Sequence, residues 1–177
     1  MNKNQETKEK ICTFYASDYH FEMVSLPYIN NKITNNKEVI ILTENNLEDT
    51  VKILISKMNL KESNKNKILN LDWKNDNLNK FKKIKKDIED KKELVIFVKG
   101  KENYIKNINR NIEKWVDNSE NTKIIDCYDM EEIGNSLDSI MDQYNKILNT
   151  AGEKEIQKIW VKYWYLKENS IYIRVDN

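Results

Sequence analysis

Two stretches of this chain are apolar at every residue rather than at every second one: Val39-Ile40-Ile41-Leu42 and Leu94-Val95-Ile96-Phe97-Val98. Successive side chains of a strand point to opposite faces of its sheet, so an unbroken β-branched run needs cover on both faces. That is the signature of a parallel sheet held between layers of helix.

Strand–helix alternation along the rest of the chain agrees. Short β-branched or aromatic runs predict strands over residues 10–16, 38–43, 68–73, 93–99 and 122–128. Helical spacing of apolar residues predicts helices between them. These run to residue 60 (Leu47, Val51, Leu54, Ile55, Met58), over 75–92 (Leu78, Phe81, Ile84, Ile88), over 102–118 (Ile105, Ile108, Ile112, Trp115) and over 131–149 (Ile133, Leu137, Ile140, Tyr144). Ser17 or Asp18 is placed to cap a helix ending near Thr34. Pro27, the only proline, either kinks that helix or lies in the first turn of a shorter one starting near Ser25. Residues 159–166 and 171–175 alternate around Glu168-Asn169-Ser170, as a β-hairpin does. The expected fold is three-layer α/β, with a mainly parallel sheet and a C-terminal antiparallel hairpin. Residues 1–9 read as a flexible leader and 10–177 as a single domain, with a core over 10–150 and the hairpin extension over 157–177.

Bulk properties narrow the partners. Thirty basic and 29 acidic residues leave a net charge of +1, so no global field draws the chain to nucleic acid or to an acidic membrane. Lys80, Lys82, Lys83, Lys85, Lys86, Lys91 and Lys92 form a local basic surface, but Asp87, Glu89 and Asp90 interrupt it. A solvated helix face explains it, and nucleic acid is not an expected partner. No apolar run approaches the ~20 residues of a membrane helix. The polar first ten residues lack the apolar core of a signal peptide, so the expected location is the cytoplasm. Cys12 and Cys127 fit a reducing compartment; both lie in predicted strands, where a thiol behaves as a small hydrophobe.

Three stretches in order resemble the methanogen/methylotroph sensory (MEDS) family. They are Ile11-Cys12-Thr13-Phe14-Tyr15; Leu26-Pro27-Tyr28-Ile29 followed by Val39-Ile40-Ile41-Leu42-Thr43-Glu44; and Ile125-Asp126-Cys127-Tyr128-Asp129. Lys10 stands where the family usually has histidine, and Lys99-Gly100-Lys101-Glu102 replaces its Gly-Glu pair. The resemblance implies a RecA-like fold and a sensory or regulatory module acting with a signalling or transcription-regulatory protein.

A ligand of an open α/β sheet sits outside the carboxyl ends of the strands. Candidate ligand-binding residues there are Tyr15, Ser17, Asp18, His20, Glu44 and Asp129. A phosphate-binding loop needs clustered glycines and a Lys-Ser/Thr pair, and Ala16-Ser17-Asp18-Tyr19-His20 has neither. Gly100 between two lysines is as well explained by a turn after a strand. His20 titrates near neutrality and so could act as a switch. Glu44 and Asp129 read either as helix caps or as polar groups of a pocket. No Cys/His spacing matches a zinc site, and no metal or cofactor is expected. In the hairpin, Trp160, Tyr163, Trp164, Tyr165 and Tyr172 leave both faces apolar, as an interface to a second copy or another protein would. The leading expectation is a non-enzymatic sensory domain that binds a small ligand or a protein partner at the strand ends. The alternatives are a degenerate RecA-like nucleotide-binding or hydrolytic enzyme, and an assembly protein that uses the aromatic hairpin.

Overall fold

The computed structural model describes residues 10–116 and 121–156. The chain runs β1 (Ile11–Tyr15), α1 (Asp18–Thr34), β2 (Glu38–Thr43), α2 (Glu48–Lys57), α3 (Glu62–Leu69), α4 (Asn77–Glu89), β3 (Leu94–Gly100), α5 (Glu102–Val116) and β4 (Thr122–Asp129). It continues through α6 (Met130–Ile133), a 3-10 turn (Gly134–Ser136), α7 (Leu137–Met141), β5 (Lys146–Asn149) and β6 (Gly152–Glu155). The strands form one six-stranded sheet in the order β2-β3-β4-β1-β5-β6. All neighbouring pairs are parallel except β5–β6, which closes the sheet as an antiparallel hairpin. This is the expected three-layer, RecA-like α/β arrangement. Among the described residues no helix is long and apolar enough to cross a membrane.

Each face of the sheet has its own core. One gathers Ile11, Tyr15, Val39, Ile41, Val95 and Phe97 under α1, α2 and α3; the other gathers Cys12, Ile40, Leu42, Ile96 and Val98 under α4, α5 and α7. Cys12 and Cys127 are free thiols on adjacent strands and belong to opposite cores. Every residue of β3 is buried.

Three expectations need correcting. Residues 68–73 form no strand: α3 takes Ile68 and Leu69, and Trp73 follows in a loop. The segment imitates a strand because its apolar residues alternate, but Trp73 acts as an anchor. Its indole N–H donates to the Ile68 carbonyl at 2.9 Å, and its own carbonyl accepts from the Leu47 amide at 3.0 Å. Residues 131–149 form no single helix. Gly134, at φ +47°, ends α6 after one turn, and the chain turns back into β5. The hairpin of the sheet is therefore residues 146–155; the aromatic hairpin expected over 157–177, with Trp160, Tyr163, Trp164, Tyr165 and Tyr172, lies outside the described residues. Leu78 of α4 is not inward but 66% exposed.

Helix α1 runs straight through Pro27, from a Ser17 cap whose hydroxyl accepts from the His20 amide at 3.1 Å. Pro27 cannot donate to the Met23 carbonyl, but both residues lie on the exposed side. The basic run on α4 is divided among acids. Lys80 is buried near Asp72, Lys83 meets Glu38 at 3.3 Å, and Lys92 meets Asp87 at 2.7 Å.

Gly100 ends β3 because nothing larger fits. A Cβ there would lie 2.6 Å from Tyr104 Cδ1 and 2.9 Å from Glu44 Oε2. The Tyr104 ring is held by Asn77, whose amide donates to its hydroxyl at 2.9 Å. Gly100→Ala is expected to cost about 1–3 kcal/mol as overpacking, read as a lower urea midpoint at unchanged slope.

Candidate functional site

The strand ends bring together most of the residues read from the sequence. Tyr15 closes β1 and is buried. Burial pushes its phenol well above the ordinary range, and the carboxylates of Asp129, Asp18 and Glu44 push it further. Three strand ends and the start of α1 thus converge on one ring. A residue absent from the expected set completes the corner. Lys99, 1% exposed, reaches from β3 to pair with Asp18 at 2.7 Å, and its ammonium lies 4.5 Å from the Tyr15 ring centre and 5.5 Å from that of Phe21.

The groups of this corner are largely engaged with one another. His20 Nδ1 accepts from the Ala16 amide at 3.1 Å, which places the ring proton on Nε2. Asp129 caps α6, accepting from the Glu131 amide at 3.0 Å. Glu44 caps no helix of its own; it reaches across to accept from the Lys101 amide at 3.0 Å. Beneath Lys99, Glu22 is fully buried with the Thr50 hydroxyl on one oxygen and no partner on the other. Burial raises its carboxyl, against the Thr50 hydrogen bond. The loop amides of Ala16, His20 and Phe21 are already bonded within the loop, so they do not form a phosphate cradle. Among the described residues no group of three or more His, Cys, Asp or Glu side chains could hold a metal ion.

A second site lies on the other face. A cleft of about 340 Å³ opens between α5, β4 and the turn after α7. Because α6 and α7 are short, no long helix lies beside α5 over this part of the sheet among the described residues. Ile105, Val116 and Ile124 supply apolar walls; Lys10, Ile11, Lys106, Arg110, Glu102, Glu113 and Gln143 also line it.

Its floor is a hydrogen-bonded chain around Asp126, 5% exposed in mid-β4. The Asn109 amide nitrogen donates to both Asp126 oxygens at 3.1 and 2.9 Å, and the Tyr144 hydroxyl donates to Oδ2 at 2.6 Å. Tyr144 in turn lies 2.7 Å from the Tyr128 hydroxyl. Burial pushes the Asp126 carboxyl up to about 6, against the pull of Tyr144 and Asn109. Burial, and then Asp126 itself, push the Tyr144 phenol far above its ordinary range. Next to Asp126, burial pushes the Cys12 thiol up to about 12. The carbonyl oxygen of Asn109 is buried without a hydrogen-bond partner.

Sequence reasoning named neither Lys99 nor Asp126 as site residues, yet both carried a signal. Each is a charged residue inside an apolar strand, and a charge there must be paired or shifted. Tyr144 and Asn109 gave no such sign, because both sat at inward or neutral positions of expected helices. Comparison of the chain with protein-family models, with curated proteins and with solved structures found no match.

Two predictions follow from these two buried charges. Asp18→Ala leaves the Lys99 cation buried without its carboxylate. The expected loss is about 1–3 kcal/mol, below the usual cost of breaking a buried pair because Asp18 is 38% exposed. Lys99→Met should cost less, and equal losses in urea unfolding would contradict the asymmetry. Between pH 4 and 6 the unfolded chain releases the Asp126 proton while the folded protein keeps it. Stability from this group therefore falls as pH rises through that window, by ~3 kcal/mol for a shift from 3.8 to about 6. Asp126→Asn should be more stable than the parent at pH 7.5 and lose most of that advantage at pH 4. A difference that does not change with pH would show that the carboxyl is not shifted.

Proposed function

We propose that this chain is a sensory or regulatory domain whose small ligand sits in the Asp126 cleft. The observation that carries the reading is the cleft itself: apolar walls, a few convergent polar groups and a shifted carboxyl in one concavity of ligand size. The resemblance to the MEDS family supports the sensory role and the signalling or transcription-regulatory partner that goes with it. The strand-end corner of Tyr15, Ser17, Asp18, His20, Glu44 and Asp129 serves in this reading to pin the start of α1 to β3, since Asp18 pairs with Lys99, Ser17 caps α1, and Glu44 and Asp129 accept from nearby backbone amides. Nucleotide binding draws little support from that corner. The Ala16, His20 and Phe21 amides of its loop are occupied, and its carboxylates outnumber the one buried lysine.

Fragment screening by amide NMR on the full chain tests the placement. Hits are expected to shift the amides of Asn109, Asp126 and Tyr144, and Gln143→Trp, a substitution at an exposed lining residue, should abolish them. Hits that instead shift Ser17, His20 and Lys99, and survive Gln143→Trp, would return the ligand site to the strand ends.

A further inference from the structure

Resting on the cleft reading above, we propose that the ligand is a small organic cation, an ammonium or amidinium group on a short apolar body, seated against Asp126. The direction of the protons in the floor points to this class. Tyr144 has one hydroxyl proton and gives it to Asp126 Oδ2. The 2.7 Å contact between the two tyrosines must then run from the Tyr128 hydroxyl to the Tyr144 oxygen. The Asn109 amide nitrogen faces Asp126 as well, which turns its carbonyl away. Both tyrosine hydroxyl protons and one Asn109 N–H are directed inward along the chain to Asp126; the second Asn109 N–H points away from the carboxylate. What the four groups have left is mainly acceptors: the lone pairs of Tyr128, the remaining lone pairs of Asp126, and the Asn109 carbonyl oxygen with no partner.

A floor of spare acceptors around an ionised carboxylate favours a positively charged donor. An anion would meet the charge of Asp126, and a neutral acceptor would find only the second Asn109 N–H unused. Lys10, before β1, favours the ionised form of Asp126, and Glu113 of α5 opposes it. Three further charged residues of α5 line the cleft: Lys106 is paired with Glu102, and Arg110 stands at the wall; none of them bonds to Asp126 among the described contacts. Cys12 of β1, Tyr128 of β4 and Tyr144 are all pushed up and stay neutral near pH 7. A bound cation therefore supplies the ion pair that the fold omits, and Asn109 Oδ1 gains a donor. The walls of Ile105, Val116 and Ile124 suit an aliphatic body.

The test titrates the full chain with n-butylammonium chloride, sodium butanoate and 1-butanol, following the amides of Asn109, Asp126 and Tyr144. Butylammonium should bind, and its affinity should rise about tenfold from pH 5 to pH 7.5 as a carboxyl near 6 ionises. Asp126→Asn should weaken it at least tenfold at pH 7.5. Tyr144→Phe keeps the carboxylate but removes a hydrogen bond that favours its ionised form, so the midpoint of the pH dependence should move upward. Binding of butanol or butanoate as tight as that of butylammonium, or a pH-independent affinity, overturns the cation while leaving the cleft as a ligand site. If none of the three probes shifts these amides, the cation proposal and the cleft reading both fall.

Discussion

Strand β3 is buried on both faces along its whole length, and most of the structure follows from covering it. A strand of this kind needs neighbours on both edges and helices above and below. β2 and β4 supply the edges in parallel register, from Leu94 beside Glu38 and Thr122 to Lys99 beside Thr43 and Cys127. The two helical layers supply the faces. A polar residue caught in this arrangement has to be neutralised from a distance. Lys99 falls on the same face as Val95 and Phe97, two strands away from β1, and is met there by Asp18 in the first turn of α1. The start of α1 is thereby fixed to the centre of the sheet by charge as well as by packing.

Asp126 is the same problem solved differently. It is surrounded by Asn109, Tyr144 and Tyr128, all neutral, and among the described residues no side chain of opposite charge reaches it within hydrogen-bonding distance. A hydrogen-bonded carboxyl with a raised titration point is a poor device for stability, because dipoles offset only part of the cost of removing the charge from water. The two buried charges therefore differ in kind. The Lys99 corner is closed on itself, whereas the Asp126 floor is complete in donors and incomplete in charge.

The parallel core was legible because its signal is local. Unbroken apolar runs identify β2 and β3 whatever surrounds them, and 3.6-residue spacing identifies α2 and α5. The failures came where distant packing decided. Leu71 and Trp73 alternate with polar residues like a strand, but Trp73 is captured by the Ile68 and Leu47 backbones. Residues 131–149 carry helical spacing throughout, but a single glycine at positive φ breaks the helix. Residues 146–149 gain more from pairing with β1 than from continuing a coil of their own. That second failure hid the cleft, which is the space a continuous helix would have filled. The strand-end residues were identified from a general rule about α/β sheets. Tyr15, Asp18, Glu44 and Asp129 do converge there, although the rule could not tell that the three carboxylates would be taken up by Lys99 and by the Lys101 and Glu131 amides.

The placement of the two cysteines alters what their number says about the protein. Cys127 lies beside Thr13, one residue along from Cys12, so the two thiols are neighbours in register. The pleat points them into opposite layers, and side chains directed to opposite faces of a sheet cannot be joined by a disulfide without moving the backbone. A pair that might have been read as evidence of a reducing environment is kept apart by geometry. Oxidation cannot close that pair while the sheet is intact, so the number of cysteines in this chain carries no information about the redox state of its surroundings.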